Sequence, residues 1–163
     1  SLLVGLNPDS GGRWNQEDSD RLYGYSDQPG ATAQWTQEQL LADAEARILS
    51  GEIDFSKLLK QKLRTFLGSD DACVGYSASV LRHTEFFSLL CNSFYYAAFL
   101  PAIGGAVQVW RSRERGLLLL APLYILGLTL AQMLVEVAGR YHYSMIPMLL
   151  LLGQGTWRRA GEE

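Results

Sequence analysis

Charged side chains are absent from three long stretches in the second half of this 163-residue chain: residues 86–110, 116–135 and 141–157. The hydrocarbon core of a bilayer is about 30 Å thick, and an α-helix needs about 20 apolar residues to cross it. Because helices of soluble proteins rarely lack a polar face, this absence excludes most classes of soluble enzyme. The pattern predicts an all-α membrane protein with three C-terminal transmembrane helices, at about residues 84–110, 116–136 and 141–157.

Cysteine and histidine are also scarce, with two of each in the chain. Cys73 falls in the polar half and Cys91 in the first predicted span, so we expect them in different environments, which argues against a disulfide without excluding one. His83 and His142 are far apart in sequence and have no zinc-ligand spacing. Nucleophile-elbow, P-loop and dinucleotide motifs are missing as well. No cofactor is therefore evident from the sequence.

The arginines near the apolar stretches predict the orientation of the chain. Lys and Arg in short loops favour the cytoplasmic side of a membrane. They are concentrated after the first and third predicted spans, as Arg111, Arg113, Arg115, Arg158 and Arg159. We therefore expect a multi-pass protein of the plasma membrane, with residues 1–82 outside the cytoplasm and residues 160–163 as a cytoplasmic tail.

The segment predicted to lie outside is polar and acidic. Residues 1–85 contain 13 Asp and Glu against 8 Lys and Arg, which argues against nucleic-acid binding because that requires a basic surface. Residues 7–34 are rich in turn-forming types and are expected to be irregular. Helices are expected at about 36–49, capped by Thr36, and at about 55–67. The second helix is basic and amphipathic, which is typical either of the membrane interface or of ordinary packing on neighbouring elements.

The first residues, Ser-Leu-Leu-Val-Gly-Leu, look like the outer end of an apolar span. If residues 7–82 lie outside, an upstream segment has to carry them across the membrane. We therefore expect the chain to be the C-terminal part of a larger polytopic protein, with upstream transmembrane helices as its partners in the bilayer.

Ionisable residues return at the outer end of the second predicted span. Glu136 and Arg140 are four residues apart, so they would share a helical face and pair if the helix continued that far. Arg140, Tyr141, His142 and Tyr143 form a run of hydrogen-bond donors, and a guanidinium binds phosphate in a forked geometry. The run suits the phosphate of a lipid carrier. The alternative is a structural salt bridge that fixes the loop between the second and third spans.

A second group of candidates lies in the outer loop. Glu17 and Asp18 are adjacent carboxylates with Asp20 close by, and such a cluster could accept a proton or hold a hydrated divalent cation. A solvated acidic loop is the alternative that we favour, because adjacent side chains rarely point the same way. Trp14 is a large apolar group in this polar loop, and it either packs on the membrane domain or contacts a ligand.

Three stretches of the chain together resemble a known family. Asn7 belongs to a G-x-N…S-x-G-x-W-N-x-E-D segment, and Arg140 belongs to an E-x-x-x-R-Y-H-Y…P segment that ends at Pro147. The helix between these segments contains a Lys62-Leu63 pair. The combination is similar to the C-terminal part of bacterial polytopic glycosyltransferases of the protein-O-mannosyltransferase-like, GT-C class.

This resemblance implies an enzyme that transfers a sugar from a polyprenyl-phosphate carrier to an acceptor outside the cytoplasm. The usual catalytic acid of the family lies in the first external loop, so the resemblance leaves the catalytic residue unnamed and implies that this chain alone is inactive. Arg140 would contact the carrier phosphate or order the site, and Glu136 would orient Arg140. The other expected substrate-binding residues are Tyr141 and His142 beside Arg140, and Asn7, Trp14, Asn15, Glu17 and Asp18 along the external cavity.

Two other functions fit the same sequence. A transporter or flippase subunit would use Glu136 and Arg140 as a gating pair, although such proteins usually contain inverted repeats and none is visible in this sequence. A non-enzymatic membrane protein would instead use its outer segment to bind a partner protein.

Overall fold

A computed structural model describes residues 2–112 and 116–160, without the side chains of Leu117 and of residues 155–160. The described residues are all-helical and contain no strand, which confirms the predicted fold class in its coarse form. They contain eight α-helices: α1 (Leu2–Gly5), α2 (Gln16–Ser26), α3 (Ala33–Leu49), α4 (Phe55–Leu67), α5 (Ala72–Tyr76), α6 (Thr84–Ser112), α7 (Leu120–Leu134) and α8 (Ile146–Ala160). Two 3₁₀ segments, Leu117–Leu119 and Gly139–Met145, directly precede α7 and α8.

Side-chain caps explain where α2 and α3 begin. Asn15 accepts a hydrogen bond from a backbone amide in the first turn of α2, and Thr32 does the same for α3. Such caps satisfy amides that have no partner within the helix. Residues 7–34, which we expected to be irregular, therefore contain an eleven-residue helix. Thr36, the expected cap of α3, is instead buried inside that helix.

The chain divides into two compact units. The first unit consists of Ser1–Phe66 with Leu130–Ala138, and the second consists of Leu67–Thr129 with Gly139–Glu163. In the first unit, α1 and α2 pack against α3. Its apolar core is formed by Leu3, Leu6, Ala44, Ile53 and Leu58, with Leu40 packed against them.

Helix α4 has the bounds that the sequence predicts, and one of its faces is packed. Leu58, Lys62 and Phe66 recur every four residues and are buried. Phe55 and Leu59 remain exposed. The packed face agrees with the ordinary-helix interpretation of its amphipathic pattern, and the predicted contact of its exposed face with a membrane stays a prediction.

The second unit is dominated by the packing of α6 against α8. The buried face of α6 contains small residues at helical spacing, namely Ala98, Ala102 and Gly105. Small residues allow two helix backbones to approach closely. At Gly105 the approach is so close that a Cβ atom would collide with the carbonyl group of Leu152 in α8. The two helices are therefore in backbone contact at this point.

One described helix, α6, is long and apolar enough to cross a membrane. Its outward side is apolar, since Phe94, Leu100 and Ile103 are each at least 50% exposed. Helices α7 and α8 have 15 residues each, fewer than the about 20 that a complete crossing needs. The structure therefore supports a membrane-spanning helix at α6 and does not extend that support to the second and third predicted spans.

Several residues behind the predicted orientation lie outside the described residues. These are Arg113 and Arg115 in the link before α7, and residues 161–163 of the predicted tail. The side chains of Arg158 and Arg159 are likewise outside the described part of the chain. Arg111, in the last turn of α6, is described and exposed.

Candidate functional site

The outer-loop candidates Asn7, Asn15 and Asp18 converge on one carboxylate in the first unit. Asp18 is 1% exposed and accepts hydrogen bonds from the side-chain amides of Asn7 at 3.0 Å and Asn15 at 2.8 Å. The Arg47 guanidinium of α3 donates to both carboxylate oxygens, at 2.7 and 3.2 Å. It also donates to the Leu3 carbonyl at 2.8 Å. These contacts of Asn7, Asn15, Asp18 and Arg47, the Asp18 cluster, tie α1, the outer loop, α2 and α3 together.

The hydrogen bonds of the Asp18 cluster keep its carboxylate ionised. Burial alone raises the pKa of Asp18, but the hydrogen bonds from Arg47, Asn15 and Asn7 outweigh it and hold the pKa below its ordinary value. A carboxylate with a lowered pKa in the folded state contributes stability above its unfolded pKa, and that stability is lost as the pH falls through the folded pKa. Asp18 is thus a buried, fully engaged anion, which does not suit it to donate a proton to a substrate.

Beside the Asp18 cluster lies an open cleft of about 330 Å³. Glu17 and Arg21 line this cleft and form an exposed salt bridge at 3.0 Å. Trp14 is 60% exposed, so its ring is not part of the apolar core of the unit. The structure therefore separates two adjacent carboxylates: Glu17 is open to a ligand, while Asp18 holds the fold.

Lys62 occupies an unexpected place in the first unit, because its basic side chain is 1% exposed. Its Nζ donates to the carbonyl oxygens of Gly5 at 3.0 Å and Met133 at 2.7 Å. Both carbonyls lie at helix C-termini, where they lack partners within the helix and carry partial negative charge. Gly12, at φ +74°, lies against the methylene groups of this side chain, and a Cβ there would be 2.8 Å from Lys62 Cε. Lys62 thus links the C-terminal ends of α1 and α7, next to the loop that contains Gly12.

The burial of Lys62 predicts a pH-dependent stability. Burial lowers the pKa of its amine to about 8, from 10.5 for an unperturbed lysine. Between these pH values the unfolded chain binds more protons than the folded chain, so the free energy of unfolding should rise as the pH increases from about 8 to about 10.5. The free energy of unfolding should rise by at most about 3.4 kcal/mol. The free energy of unfolding is measured by denaturant titration of the wild-type and Lys62→Met proteins between pH 8 and pH 10.5. The contribution of Lys62 is the difference between the two pH profiles.

Lys60→Met is the matched control, because Lys60 is exposed on the same helix. The stability of this variant should follow that of the wild type at every pH, while the Lys62→Met protein should lose the rise. If the wild-type and Lys62→Met curves ran parallel, the amine of Lys62 would not be the group that titrates.

In the second unit, Arg140 lies in the 3₁₀ segment that leads into α8. One of its Nη atoms donates to the hydroxyl of Tyr76. The guanidinium also faces the rings of Tyr76 and Tyr141, at 5.5 and 5.3 Å from their centroids. Contact with aromatic rings holds a guanidinium in place while its N–H donors remain free to point toward a ligand. Arg140 is exposed, so it is a positioned cation at the protein surface.

His142 anchors the segment that carries Arg140. Its ring is 0% exposed, and Nε2 lies 3.1 Å from Asp70 Oδ1. The ring also packs on Tyr95 of α6, with 4.8 Å between centroids. The ring of His142 therefore packs inside the second unit, whereas the resemblance implies that His142 contacts the substrate. Asp70 and Tyr95 were not among the sequence candidates, since a contact between residues 72 positions apart leaves no local signal.

The predicted pairing of Glu136 with Arg140 required a helix that continued past both residues. Helix α7 ends at Leu134, and the next element is the 3₁₀ segment that starts at Gly139. Between them, the Val137 amide donates to the Gly12 carbonyl at 2.9 Å. The helical spacing behind the prediction is therefore not present, and the pairing of Glu136 with Arg140 stays a prediction.

A second open groove, of about 770 Å³, lies between α5 and the start of α6. Asp71 on its wall accepts hydrogen bonds from Ser88 Oγ at 2.7 Å and Asn92 Nδ2 at 3.4 Å. The bond from Ser88 has the largest effect, and together these bonds hold the pKa of Asp71 below its ordinary value. The groove thus has an ionised carboxylate, Asp71, with polar neighbours near the N-terminal end of α6.

Within residues 2–112 and 116–160, no three His, Cys, Asp or Glu side chains are grouped in a way that could hold a metal ion. No protein-family model, curated protein or solved structure matches the chain. Function must therefore be inferred from the sites described above and from the residues that carry the family resemblance.

Proposed function

We propose that this chain is the carrier-binding, C-terminal part of an integral membrane glycosyltransferase that moves a sugar from a polyprenyl-phosphate carrier to an acceptor outside the cytoplasm. The proposal depends on one observation, the exposed Arg140 guanidinium held by Tyr76 and Tyr141 directly before α8. A guanidinium binds phosphate through two parallel N–H···O bonds. A phosphate at the bilayer surface would meet this group at the end of an apolar helix.

The proposed topology places Arg140 on the outer side. Helix α6 is the first membrane pass in this proposal, and α7 and α8 are the second and third, each lengthened by the 3₁₀ segment before it. Arg111 at the end of α6 then faces the cytoplasm, as expected for basic residues in a short loop. Residues 2–82 lie outside, where lipid-linked sugars are used by enzymes of the class that the sequence resembles.

The described sites have separate tasks in the proposed enzyme. Asp70 and His142 act as positioning residues for the segment that carries Arg140. The Asp18 cluster orders the outer loop, and Glu17 is the carboxylate that a sugar or acceptor could reach through the cleft of the first unit. The catalytic acid is not assigned to any of these residues, because the resemblance places it in a different external loop.

Binding of the carrier phosphate should depend strongly on Arg140. Replacing Arg140 by alanine removes a charge-assisted, forked contact, so the Kd for a short-chain polyprenyl monophosphate should rise about 30-fold. The Kd of the Arg140→Lys protein should lie between those of the wild type and Arg140→Ala, because lysine keeps the charge but cannot make the forked contact. Calorimetric titration of the protein in detergent micelles measures these constants.

Two controls separate phosphate recognition from damage to the fold. Arg111→Ala removes another exposed arginine of the same unit, at the opposite end of α6, and should leave the Kd unchanged. The prenol that lacks the phosphate should bind wild-type and Arg140→Ala protein equally. Equal losses in both arginine variants, or equal weakening for prenol and monophosphate, would rule out a phosphate contact at Arg140.

A further inference from the structure

Helix α4 has a second face whose exposed side chains neither the fold nor the proposed enzyme uses. All three lysines of the chain lie on this helix, and no Asp or Glu occurs in it. Lys62 is buried, whereas Lys57, Lys60 and Arg64 are exposed. Within residues 2–112 and 116–160, the side chains of these three exposed residues make no ion pair or hydrogen bond. They are therefore unpaired cations on one helix of an otherwise acidic segment.

An apolar row lies between the buried face of α4 and two of these cations. Phe55 and Leu59 are four residues apart, on the same side of the helix, and are 53% and 45% exposed. The half-buried Leu63 continues the row. Each residue turns the helix by about 100°, which places Lys60 and Arg64 beside this row, on the side away from the buried face. The exposed surface thus changes from apolar to basic across the helix.

This combination fits the surface of a bilayer that contains anionic phospholipid. An amphipathic helix at such a surface buries its apolar side chains at the boundary between headgroups and acyl chains, and its basic side chains meet the anionic headgroups. Lys and Arg suit this place, because their apolar stems lie along the hydrocarbon while the charge stays in the headgroup layer. A nucleic acid would engage the cations alone and leave Phe55 and Leu59 in water. A bilayer is also at hand, since α6, the helix long enough to cross a membrane, follows α4 in the chain.

We propose that the exposed face of α4 is a docking surface for an anionic phospholipid bilayer. This α4 surface consists of Phe55, Lys57, Leu59, Lys60 and Arg64. Phe55 and Leu59 enter the boundary between headgroups and acyl chains, and the three cations contact lipid phosphates. Each Lys or Arg near an anionic surface raises the association constant about fivefold, so three of them raise it on the order of 100-fold. The opposite face of α4 is packed in the first unit, so docking holds that unit at the bilayer surface. This proposal does not rest on glycosyl transfer and holds for a membrane protein of any activity.

Fluorescence quenching of the full chain in lipid nanodiscs tests the proposal. Cys73 and Cys91, which are free, are replaced by serine, and a single new cysteine carries an environment-sensitive fluorophore. Leu59→Cys places the fluorophore on the α4 surface. Gln61→Cys is the matched control, because position 61 is exposed on the same helix but lies about 160° around the helix axis from position 59. The nanodiscs contain either phosphatidylcholine alone or equal parts of phosphatidylcholine and phosphatidylglycerol.

Part of the phosphatidylcholine in both kinds of disc carries a spin label near the top of its acyl chain, which quenches a fluorophore only at short range. At position 59, the ratio of quenched to unquenched fluorophore should be at least about tenfold higher in discs with phosphatidylglycerol. At position 61, quenching should be weak in both kinds of disc. Salt at about 1 M shortens the Debye length to about 3 Å, so it should release the α4 surface from the anionic discs.

Single charge changes show whether the cations of the α4 surface recognise the lipid. Lys60→Gln should lower the ratio of quenched to unquenched fluorophore at position 59 about fivefold. Arg13→Gln removes an exposed cation from the outer loop of the same unit and should leave this ratio unchanged. Equal quenching in both kinds of disc, no quenching in either, or equal quenching at positions 59 and 61 would overturn the proposal. So would equal effects of Lys60→Gln and Arg13→Gln.

Discussion

The Asp18→Ala protein is expected to unfold about 6 to 12 °C below the wild type. Removing one partner of a buried ion pair costs about 3 kcal/mol or more, and each 1 kcal/mol corresponds to about 2 to 4 °C for a chain of this size. The loss is large because the Arg47 guanidinium would keep only the Leu3 carbonyl, while the side-chain amides of Asn7 and Asn15 would lose their shortest hydrogen bonds. Circular dichroism during heating in detergent micelles measures the midpoint.

Glu17 provides a control at the neighbouring position. Its salt bridge with Arg21 is exposed, so Glu17→Ala should change the free energy of unfolding by about 0.5 kcal/mol or less. The double variant Asp18→Ala with Arg47→Met should lose less unfolding free energy than the two single variants lose together, because neither charge is left without its partner. Similar losses for Glu17→Ala and Asp18→Ala would contradict the special position of Asp18.

Gly105→Ala should be the most damaging single-methyl change in the second unit. The added Cβ would meet the backbone of Leu152 rather than a movable side chain, so α6 and α8 would have to separate. Overpacking of this kind costs about 3 kcal/mol, which again corresponds to about 6 to 12 °C in the unfolding midpoint. Thermal unfolding of the variant in micelles, followed by helical ellipticity, gives the shift.

Gly127→Ala is the matched control, since it adds the same methyl group to another apolar helix. Apart from the neighbouring backbone of α7, no atom of the described residues lies within 4 Å of a Cβ built at Gly127, and alanine favours the helix over glycine. This variant should be at least as stable as the wild type. If both alanine variants were equally stable, the backbone contact between α6 and α8 would not hold the second unit together.

The sequence predicts helices best where the pattern is local. Helix α4 has its predicted bounds, and α6 matches the first predicted span at its start. The sequence does not predict helix α2, because its residues are mostly polar and only the Asn15 cap marks its beginning. The α-helices at the second and third predicted spans, α7 and α8, are shorter than those spans, because a 3₁₀ segment precedes each of them. Absence of charge predicts an apolar environment and does not predict which residues are α-helical.

The sequence likewise predicts site residues that are close to one another in the chain and does not predict their distant partners. Asn7, Asn15 and Asp18 are close in sequence and do meet, because the stretch of chain that joins them is short. The sequence does not point to Arg47, since it reaches the same carboxylate from a position 29 residues away. The helical pattern gives no indication that Lys62 is buried, because its partners, the carbonyl groups of Gly5 and Met133, are distant in sequence. Long-range partners of this kind carry no local signal in a single sequence.

The bonds of Lys62 also set an order of assembly during synthesis. Its partner Met133 is 71 positions further along the chain, and Gly12 waits for Val137 in the same way. A ribosome adding about 5 to 20 residues per second therefore needs on the order of 4 to 14 seconds between making Lys62 and making its partner. Helix α6 and nearly all of α7 are synthesised in that interval. The first unit is therefore complete only after α6 and most of α7 have been made. A nascent chain halted before residue 133 would present an incomplete first unit to proteases.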